Sequence, residues 1–142
     1  MDKLKFMQSV IGKPMKNSPS PVANWLQGTI LEATETSLTV QYLVREEMAN
    51  PAKILHGGII CTMFDDTMGA MIYVTSEEYF YPSVNLSTDF ISIVQVGETV
   101  RVKAEVIRKG KTVIVAEAKM YNAQEKLIAK CSSNFVKSSI KV

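Results

Sequence analysis

The spacing of hydrophobic positions changes along the chain, and each change predicts a different element. In the first 13 residues, apolar side chains recur at helical spacing among lysines, which predicts a short amphipathic helix. These apolar residues are Leu4, Met7, Val10 and Ile11. Residues 16–24, KNSPSPVAN, are rich in residues that interrupt regular structure, and they predict an extended linker. From Trp25 onward the pattern predicts strands, then one helix, then strands again.

Partial alternation of apolar and polar positions predicts six strands around the helix. Two strands precede it, WLQGTILEAT and SLTVQYLVRE, and the polar turn between them predicts a hairpin. Four strands follow it: SVNLSTDFISIV, TVRVKAEVIRKG, KTVIVAEAKMYN and KLIAKCSSNFVKS. Breaks fall at QVGE, KGK and NAQEK. A long antiparallel meander with one helix on one face is an α+β domain.

The helix is predicted at roughly Gly57–Thr75, and its two faces differ in composition. One broad face should pack on the sheet and contains Ile59, Ile60, Met63, Phe64, Ala70, Met71 and Val74. The opposite face is centred on Asp65 and contains Gly58, Cys61, Thr62, Gly69 and Ile72. Asp66 lies nearer the edge of the core face. Mostly small residues around Asp65, without lysine, arginine or glutamate, favour close approach by another chain or a ligand.

Composition and charge exclude several classes of protein. The chain has 142 residues, 46% of them hydrophobic and 21% charged, which is ordinary for one soluble globular domain. A net charge of +2 is too small to indicate a nucleic-acid partner. Cys61 and Cys131 have no zinc-site spacing, so we expect free thiols in a reducing cytosol. Neither a signal-peptide core nor a membrane-spanning run is present, so we expect a cytoplasmic protein without a membrane partner.

The candidate chemistry lies where the predicted helix begins. The single histidine, His56, directly precedes Gly57 and Gly58. The first N–H groups of a helix lack intrahelical partners and carry the positive end of its dipole. Without side chains, the glycines would let an acyl oxygen approach these N–H groups, as in an oxyanion hole. A loop that needs unusual backbone angles is the other interpretation of the glycine pair.

His56 and Asp65 are nine residues apart, which in a helix is a rise of roughly 13 Å and two and a half turns. Within one chain, their side chains cannot share a substrate atom. Either one of them is structural, or a second copy of the chain completes the site. An isologous dimer would bring the helix start of one subunit to Asp65 of the other.

The segment around His56 resembles the hotdog-fold thioesterases, specifically the PaaI-like branch of acyl-CoA thioesterases. The matching residues are His56-Gly57-Gly58, Asn50 six residues before the histidine, Asp65 and Gly69 nine and thirteen residues after it, and Ser83. The later strands and the turn Lys109-Gly110-Lys111 match as well, so the resemblance covers about residues 24–136. The sequence departs from the family at Asp66, where relatives often carry Glu, Thr or Asn. This departure leaves Asp66 as a second candidate for the acid.

The resemblance implies a hotdog fold, a curved antiparallel sheet wrapped around a central helix. It places a short N-terminal helix and linker in residues 1–23 and the hotdog domain in residues 24–142. It also implies a homodimer that extends the sheet, often assembled as a dimer of dimers. The implied reaction is hydrolysis of an acyl-CoA to free acid and CoA. That reaction needs no cofactor and no metal, since coenzyme A is part of the substrate.

The same resemblance implies a role for each matching residue. Asp65 would act as general base or nucleophile, and Ser83 would position the attacking water. The backbone N–H of Gly57 or Gly58 would polarise the carbonyl. His56, held by Asn50, would orient the thioester or the loop.

Two sets of residues are candidates for binding the rest of the substrate. Arg108, Lys109 and Lys111, around Gly110, would bind the phosphates of coenzyme A, or they are ordinary solvated hairpin side chains. An acyl group would contact methionines and aromatic residues near the helix, which adapt to varied shapes, or these belong to the core or a dimer interface. They are Met63, Met68, Met71, Tyr73, Tyr79, Phe80 and Tyr81.

Two other functions of the same fold compete with hydrolysis. A non-catalytic acyl-CoA-binding protein would keep the fold, although no DNA-binding segment accompanies it and Asp65 is retained. An enoyl-CoA hydratase would share the Asn-Pro-His portion of NPAKILH. The hydratase motif, however, has a spaced aspartate before the asparagine that is missing here, and the histidine of that motif lies closer to its asparagine.

Overall fold

The computed structural model describes residues 2–142. Its helices are α1 (Lys3–Ser9), α2 (Pro21–Leu26) and α3 (Gly57–Thr75), with a 3-10 turn at Glu46–Met48. Its strands are β1 (Thr29–Ala33), β2 (Ser37–Leu43), β3 (Ser83–Phe90), β4 (Thr99–Lys109), β5 (Val113–Asn122) and β6 (Leu127–Val136). All strand pairs are antiparallel in one curved sheet packed on α3, so the predicted α+β architecture is confirmed.

The order of the strands differs from the long meander that the sequence predicts. The order is β1-β2-β4-β5-β6-β3, so the β1–β2 hairpin and the β4-β5-β6 meander are confirmed, but β3 pairs with β6. The reason is the preceding helix: α3 crosses the sheet, and the chain re-enters it at the far edge. At the other edge, the N–H groups of Gly12 and Met15 bond to the β1 side of the sheet. No other strand of residues 2–142 pairs with the outer edge of β3.

The predicted N-terminal helix is confirmed, whereas the predicted linker is wrong. α2 begins inside residues 16–24, because Ser20 caps its N-terminus by accepting the N–H of Ala23 and Pro21 occupies the first helical position. The first strand accordingly begins at Thr29, after Trp25. Met7 of α1 is buried in the same core as the sheet. The division into residues 1–23 and 24–142 stays a prediction.

The buried face of α3 is broader than predicted. Ile60, Met63, Phe64 and Met71 are buried as expected, but so are Met68 and Ile72. Ile72, seven residues after Asp65, lies along the same side of the helix, but it is buried because aromatic residues that follow the helix cover it. The three methionines are core residues, so they do not form an acyl wall. Within residues 2–142, no helix is long and apolar enough to cross a lipid bilayer.

Candidate active site

His56 is the N-cap of α3, and its side chain accepts one of the two N–H groups that were candidates for the oxyanion hole, those of Gly57 and Gly58. Its Nδ1 accepts the N–H of Gly58 at 2.8 Å, and its carbonyl accepts the N–H groups of Ile59 and Ile60. The N–H of Gly57 has no hydrogen-bond partner within residues 2–142. Of the two glycines, Gly57 therefore presents the N–H that a ligand oxygen can use.

The cap also fixes which nitrogen of His56 carries a proton. Because Nδ1 accepts a hydrogen bond, we infer that the neutral imidazole holds its proton on Nε2. The side chain is exposed, so this Nε2–H is available as a second donor next to the N–H of Gly57.

Close packing, not backbone strain, favours glycine at the helix start. Neither Gly57 nor Gly58 has a positive φ, so the interpretation of the pair as a loop with unusual angles is wrong. A Cβ built on Gly57 would lie 3.2 Å from the ring of Phe90 on β3. A Cβ on Gly58 would lie 3.0 Å from the imidazole of His56. The pair lets both rings approach the first turn.

Asn50 shapes the preceding loop and does not hold His56 as predicted. Its amide oxygen accepts the N–H groups of Ala52 and Ile54, at 2.9 and 3.4 Å. No hydrogen bond joins Asn50 to His56 among the described residues. Instead, the N–H of His56 donates to the carbonyl of Met48 at 2.9 Å. The side-chain oxygen of Asn50 accepts hydrogen bonds from N–H groups of its own loop, as is common for asparagine in turns.

Asp65 and Ser83 meet on the opposite side of the helix. Ser83 Oγ donates to Asp65 Oδ1 at 3.1 Å, although 18 residues separate them in sequence. Asp65 is exposed in the middle of α3, and Ser83 is the first residue of the open edge strand β3. The two predicted residues are thus brought together, and their polar groups face outward.

Asp66 has a different environment from its neighbour. It is half-buried, and burial raises the pKa of its carboxyl to about 6, with a smaller contribution from the charge of Asp65. Behind it, Tyr42 Oη and Thr67 Oγ1 form a buried hydrogen bond of 2.8 Å. Asp65, not Asp66, therefore presents its carboxylate to a ligand beside Ser83.

A residue that sequence reasoning missed contacts α3 one turn before Asp65. Thr88 of β3 accepts a hydrogen bond from the thiol of Cys61 at 3.5 Å, and it pairs across the sheet with Cys131. Burial raises the pKa of the Cys131 thiol to about 12. Both cysteines are free, as predicted. No local signal identifies Thr88, because only the β3–β6 register brings it to α3.

The site residues form two groups that one chain cannot join. The donor group consists of Gly57 and His56 at the start of α3, and the acid group consists of Asp65 and Ser83. α3 is continuous from Gly57 to Thr75, so Gly57 and Asp65 are separated by roughly 12 Å along its axis. A thioester carbonyl could contact only one of the two groups of the same chain.

In the basic turn, Lys109 has contacts within the chain, whereas Arg108 and Lys111 have no ionic partner within residues 2–142. Lys109 Nζ donates to the carbonyl of Thr75 at 3.1 Å and lies 3.9 Å from the Glu77 carboxylate. A cation at the C-terminus of a helix is stabilising, so Lys109 supports the end of α3. Arg108 and Lys111 are exposed and form no ion pair within residues 2–142.

The turn lies at the same end of the sheet as Ser83. The N–H of Val136 donates to the carbonyl of Pro82, and the N–H of Lys137 donates to the carbonyl of Thr112. Two strand spacings, about 10 Å, therefore separate Ser83 from the turn. Gly110 is needed there because a Cβ would lie 2.8 Å from the carbonyl oxygen of Val113. The separation of about 10 Å between Ser83 and the turn leaves room for an extended linker between a reacting group and a phosphate.

Comparisons with known proteins identify the family and the fold. Residues 52–129 match the family model of the thioesterase superfamily. Acyl-coenzyme A thioesterase 13 of Mus musculus is 28% identical over 102 residues, covering 71% of this chain and 73% of that protein. The PaaI protein from the E. coli phenylacetic acid degradation operon has a TM-score of 0.81 and 20% identity, covering 87% of this chain and 88% of that one. A Streptococcus mutans protein bound to acetyl CoA has a TM-score of 0.76 and 17% identity, covering 81% and 91%.

Asp66→Asn should stabilise the protein at pH 8 but not at pH 4. Because the pKa of the folded-state carboxyl is raised from 3.8 to about 6, folding loses stability as pH rises through this interval. The asparagine removes that loss, which is roughly 1–3 kcal/mol at full ionisation. Urea unfolding of both proteins at pH 4 and pH 8 measures it. A stability difference that is the same at both pH values would contradict the assignment.

Proposed function

The chain belongs to the thioesterase superfamily and is a thioester hydrolase, and we propose that its substrate is an acyl-coenzyme A, cleaved to free acid and CoA. The observation that carries this proposal is the exposed Asp65 carboxylate held by Ser83. The names of the mouse relative and of the acetyl CoA complex from S. mutans support coenzyme A as the carrier. A cytoplasmic location and a reaction without a cofactor stay predictions.

The proposed reaction uses the acid group and the donor group on opposite sides of one carbonyl. In one route, Asp65 removes a proton from water while the water oxygen bonds to the carbonyl carbon. In the other route, the Asp65 carboxylate attacks that carbon itself. Gly57 N–H and His56 Nε2–H stabilise the oxyanion. The carbon–sulfur bond then breaks, and in the first route the thiolate of CoA takes up the proton that Asp65 removed from water. In the second route the thiolate takes up a proton from solvent, and water then hydrolyses the mixed anhydride on Asp65 to the free acid. Ser83 positions Asp65 and the water.

Two chains complete each proposed site in a homodimer. Within residues 2–142, β3 has no strand partner on its outer side, and its exposed apolar side chains favour an interface over a solvated edge. Along this edge and the loop after it, Val84 is 61% exposed, Phe90 56% and Ile93 67%. Pairing β3 with β3 of a second copy would extend the sheet and place the two α3 helices side by side. The donor group of one chain would then face the acid group of the other.

The outer face of the sheet supports a further pairing of dimers. Lys103, Lys119 and Lys130 lie directly opposite one another on β4, β5 and β6. In the next row, Glu105 on β4 lies opposite Glu117 on β5. None of these five side chains forms an ion pair within residues 2–142. Like charges directly opposite each other are destabilising, so these rows favour a partner of complementary charge.

A second copy supplies that complement in one orientation. A two-fold axis between the rows, perpendicular to the strands, places Lys119 opposite Glu117 and Lys103 opposite Glu105 of the other copy. An axis parallel to the strands would instead place lysine against lysine. The face of six strands measures roughly 700 Å², close to the area per partner of a standard interface. We propose a dimer of dimers joined back to back by these rows.

Asp65→Asn should lower kcat by at least about 10²-fold, because the carboxylate is the proposed base or nucleophile. Free-thiol release from acyl-CoAs with short, long and aromatic acyl groups measures it. Asp66→Asn is the matched control and should retain activity. Loss only in the Asp66 variant would show that the acid is misassigned. No thiol release by the unmodified protein would favour the non-catalytic acyl-CoA-binding alternative.

Mixing folded His56→Ala with folded Asp65→Asn should regenerate activity. Each hybrid dimer holds one site with both lesions and one with neither, so random exchange restores about a quarter of the unmodified activity. Exchange is verified with differently tagged chains. Verified hybrids without activity would contradict a site shared between chains.

Lys119→Glu should separate back-to-back dimers, since it places a carboxylate opposite Glu117 of the second copy. Adding Glu117→Lys in the same chain should restore the assembly, because the charges are exchanged and still complementary. Lys126→Glu, in the β5–β6 turn, is the control with the same change of net charge. Sedimentation equilibrium at low and high salt measures the mass. Unchanged assembly in the single variant would contradict the proposed axis.

A further inference from the structure

A cavity of about 60 Å³ continues the Asp65 face of α3 toward the end of the helix. Gly69, Tyr73 and Ser76 line it and follow Asp65 at helical spacing, on one stripe of the surface. Gly69 lies one turn beyond Asp65, a rise of roughly 6 Å. The cavity therefore begins about one helical turn from Asp65, the proposed base or nucleophile.

The roof of the cavity is held by main-chain hydrogen bonds. Phe80, Tyr81 and Val142 contribute to it. The N–H of Phe80 donates to the carbonyl of Ile140 at 2.7 Å, and the N–H of Val142 donates to the carbonyl of Glu78 at 3.0 Å. Tyr81 directly precedes the Pro82-Ser83 start of β3. The same strand entry thus positions both Ser83 and the roof.

The chemistry of the walls selects an apolar ligand. Ile72, Val142 and aromatic side chains line most of the cavity. Its one aliphatic hydroxyl, Ser76 Oγ, already donates to the carbonyl of Tyr73 at 3.2 Å. Amides of the pantetheine arm would lose their hydration here with few partners in return, whereas a hydrocarbon chain would gain from burial.

Gly69 controls the entrance. A Cβ built on Gly69 meets nothing within 4 Å, so the fold does not require glycine at this position. Glycine inside a helix costs about 1 kcal/mol relative to alanine. An open entrance to the cavity accounts for a residue that destabilises the helix and avoids no clash.

We propose that this cavity is the acyl subsite and that Gly69 and Phe80 set the length of the acyl chain. The proposal rests on the proposed function, since Asp65 must act on the thioester. A cavity of about 150 Å³ holds a benzene ring. A volume of about 60 Å³ therefore fits an acyl chain of roughly two to four carbons. The subsite selects short acyl groups against long or aryl ones.

Values of kcat/KM for acetyl-, butyryl- and octanoyl-CoA test this subsite. The unmodified protein should use butyryl-CoA at least about 10-fold better than octanoyl-CoA. Gly69→Leu should lower use of butyryl-CoA at least about 10-fold while changing acetyl-CoA much less. Phe80→Ala should raise kcat/KM for octanoyl-CoA relative to kcat/KM for butyryl-CoA by a similar factor. Ile140→Ala is the control, because Ile140 lies in the C-terminal segment that accepts the N–H of Phe80 but outside the cavity lining, and it should leave the profile unchanged.

The same ranking should appear as dissociation constants of S-alkyl thioethers of CoA, which cannot be hydrolysed. If each substitution changed kcat/KM and the dissociation constant by the same factor for all chain lengths, the acyl subsite would be overturned, whereas the proposed hydrolysis would not. Absence of hydrolysis by the unmodified protein, with the thioether ranking retained, would overturn the proposed function and not the cavity. A preference of the unmodified protein for octanoyl-CoA would overturn the size limit.

Discussion

The rigid length of α3 is the constraint on which the rest of the site depends. An uninterrupted helix from Gly57 to Thr75 keeps the free N–H at its start roughly 12 Å from Asp65. No side-chain rotation closes that gap, because both groups are fixed by the helix backbone. A single thioester carbonyl, with one carbon and one oxygen to be contacted, therefore needs groups from two helices. In the proposed mechanism the dimer is therefore a chemical requirement of the site.

β3 connects the two groups of residues to the surface that would join two chains. Its first residue, Ser83, holds Asp65, and its last, Phe90, packs against Gly57. The same strand is the open edge of the sheet. A change in the register of β3 would move Ser83, Phe90 and the interface together. The proposed assembly and the proposed catalysis would thus be coupled through one strand, while the basic turn and the outer charged rows lie on other strands.

The sequence predicted local features well and non-local ones poorly. The bounds of α3 follow from its cap and periodicity, which are local, and the Asp65–Ser83 pair was expected only from a family resemblance. The edge position of β3, the burial of Ile72 and the contact of Cys61 with Thr88 depend on which strands meet. Asn50 was expected to hold His56, but its side-chain oxygen instead accepts the N–H of Ala52 in its own loop. The choice of Gly57 over Gly58 needed the His56 hydrogen bond.

A crystal structure with a ketone analogue of an acyl-CoA, in which carbon replaces the thioester sulfur, tests the shared site most directly. The account predicts that the ketone oxygen lies about 3 Å from the Gly57 nitrogen of one chain. The Asp65 carboxylate beside the ketone carbon should belong to the other chain. Both contacts from a single chain, or a ketone bound away from Asp65, would contradict it.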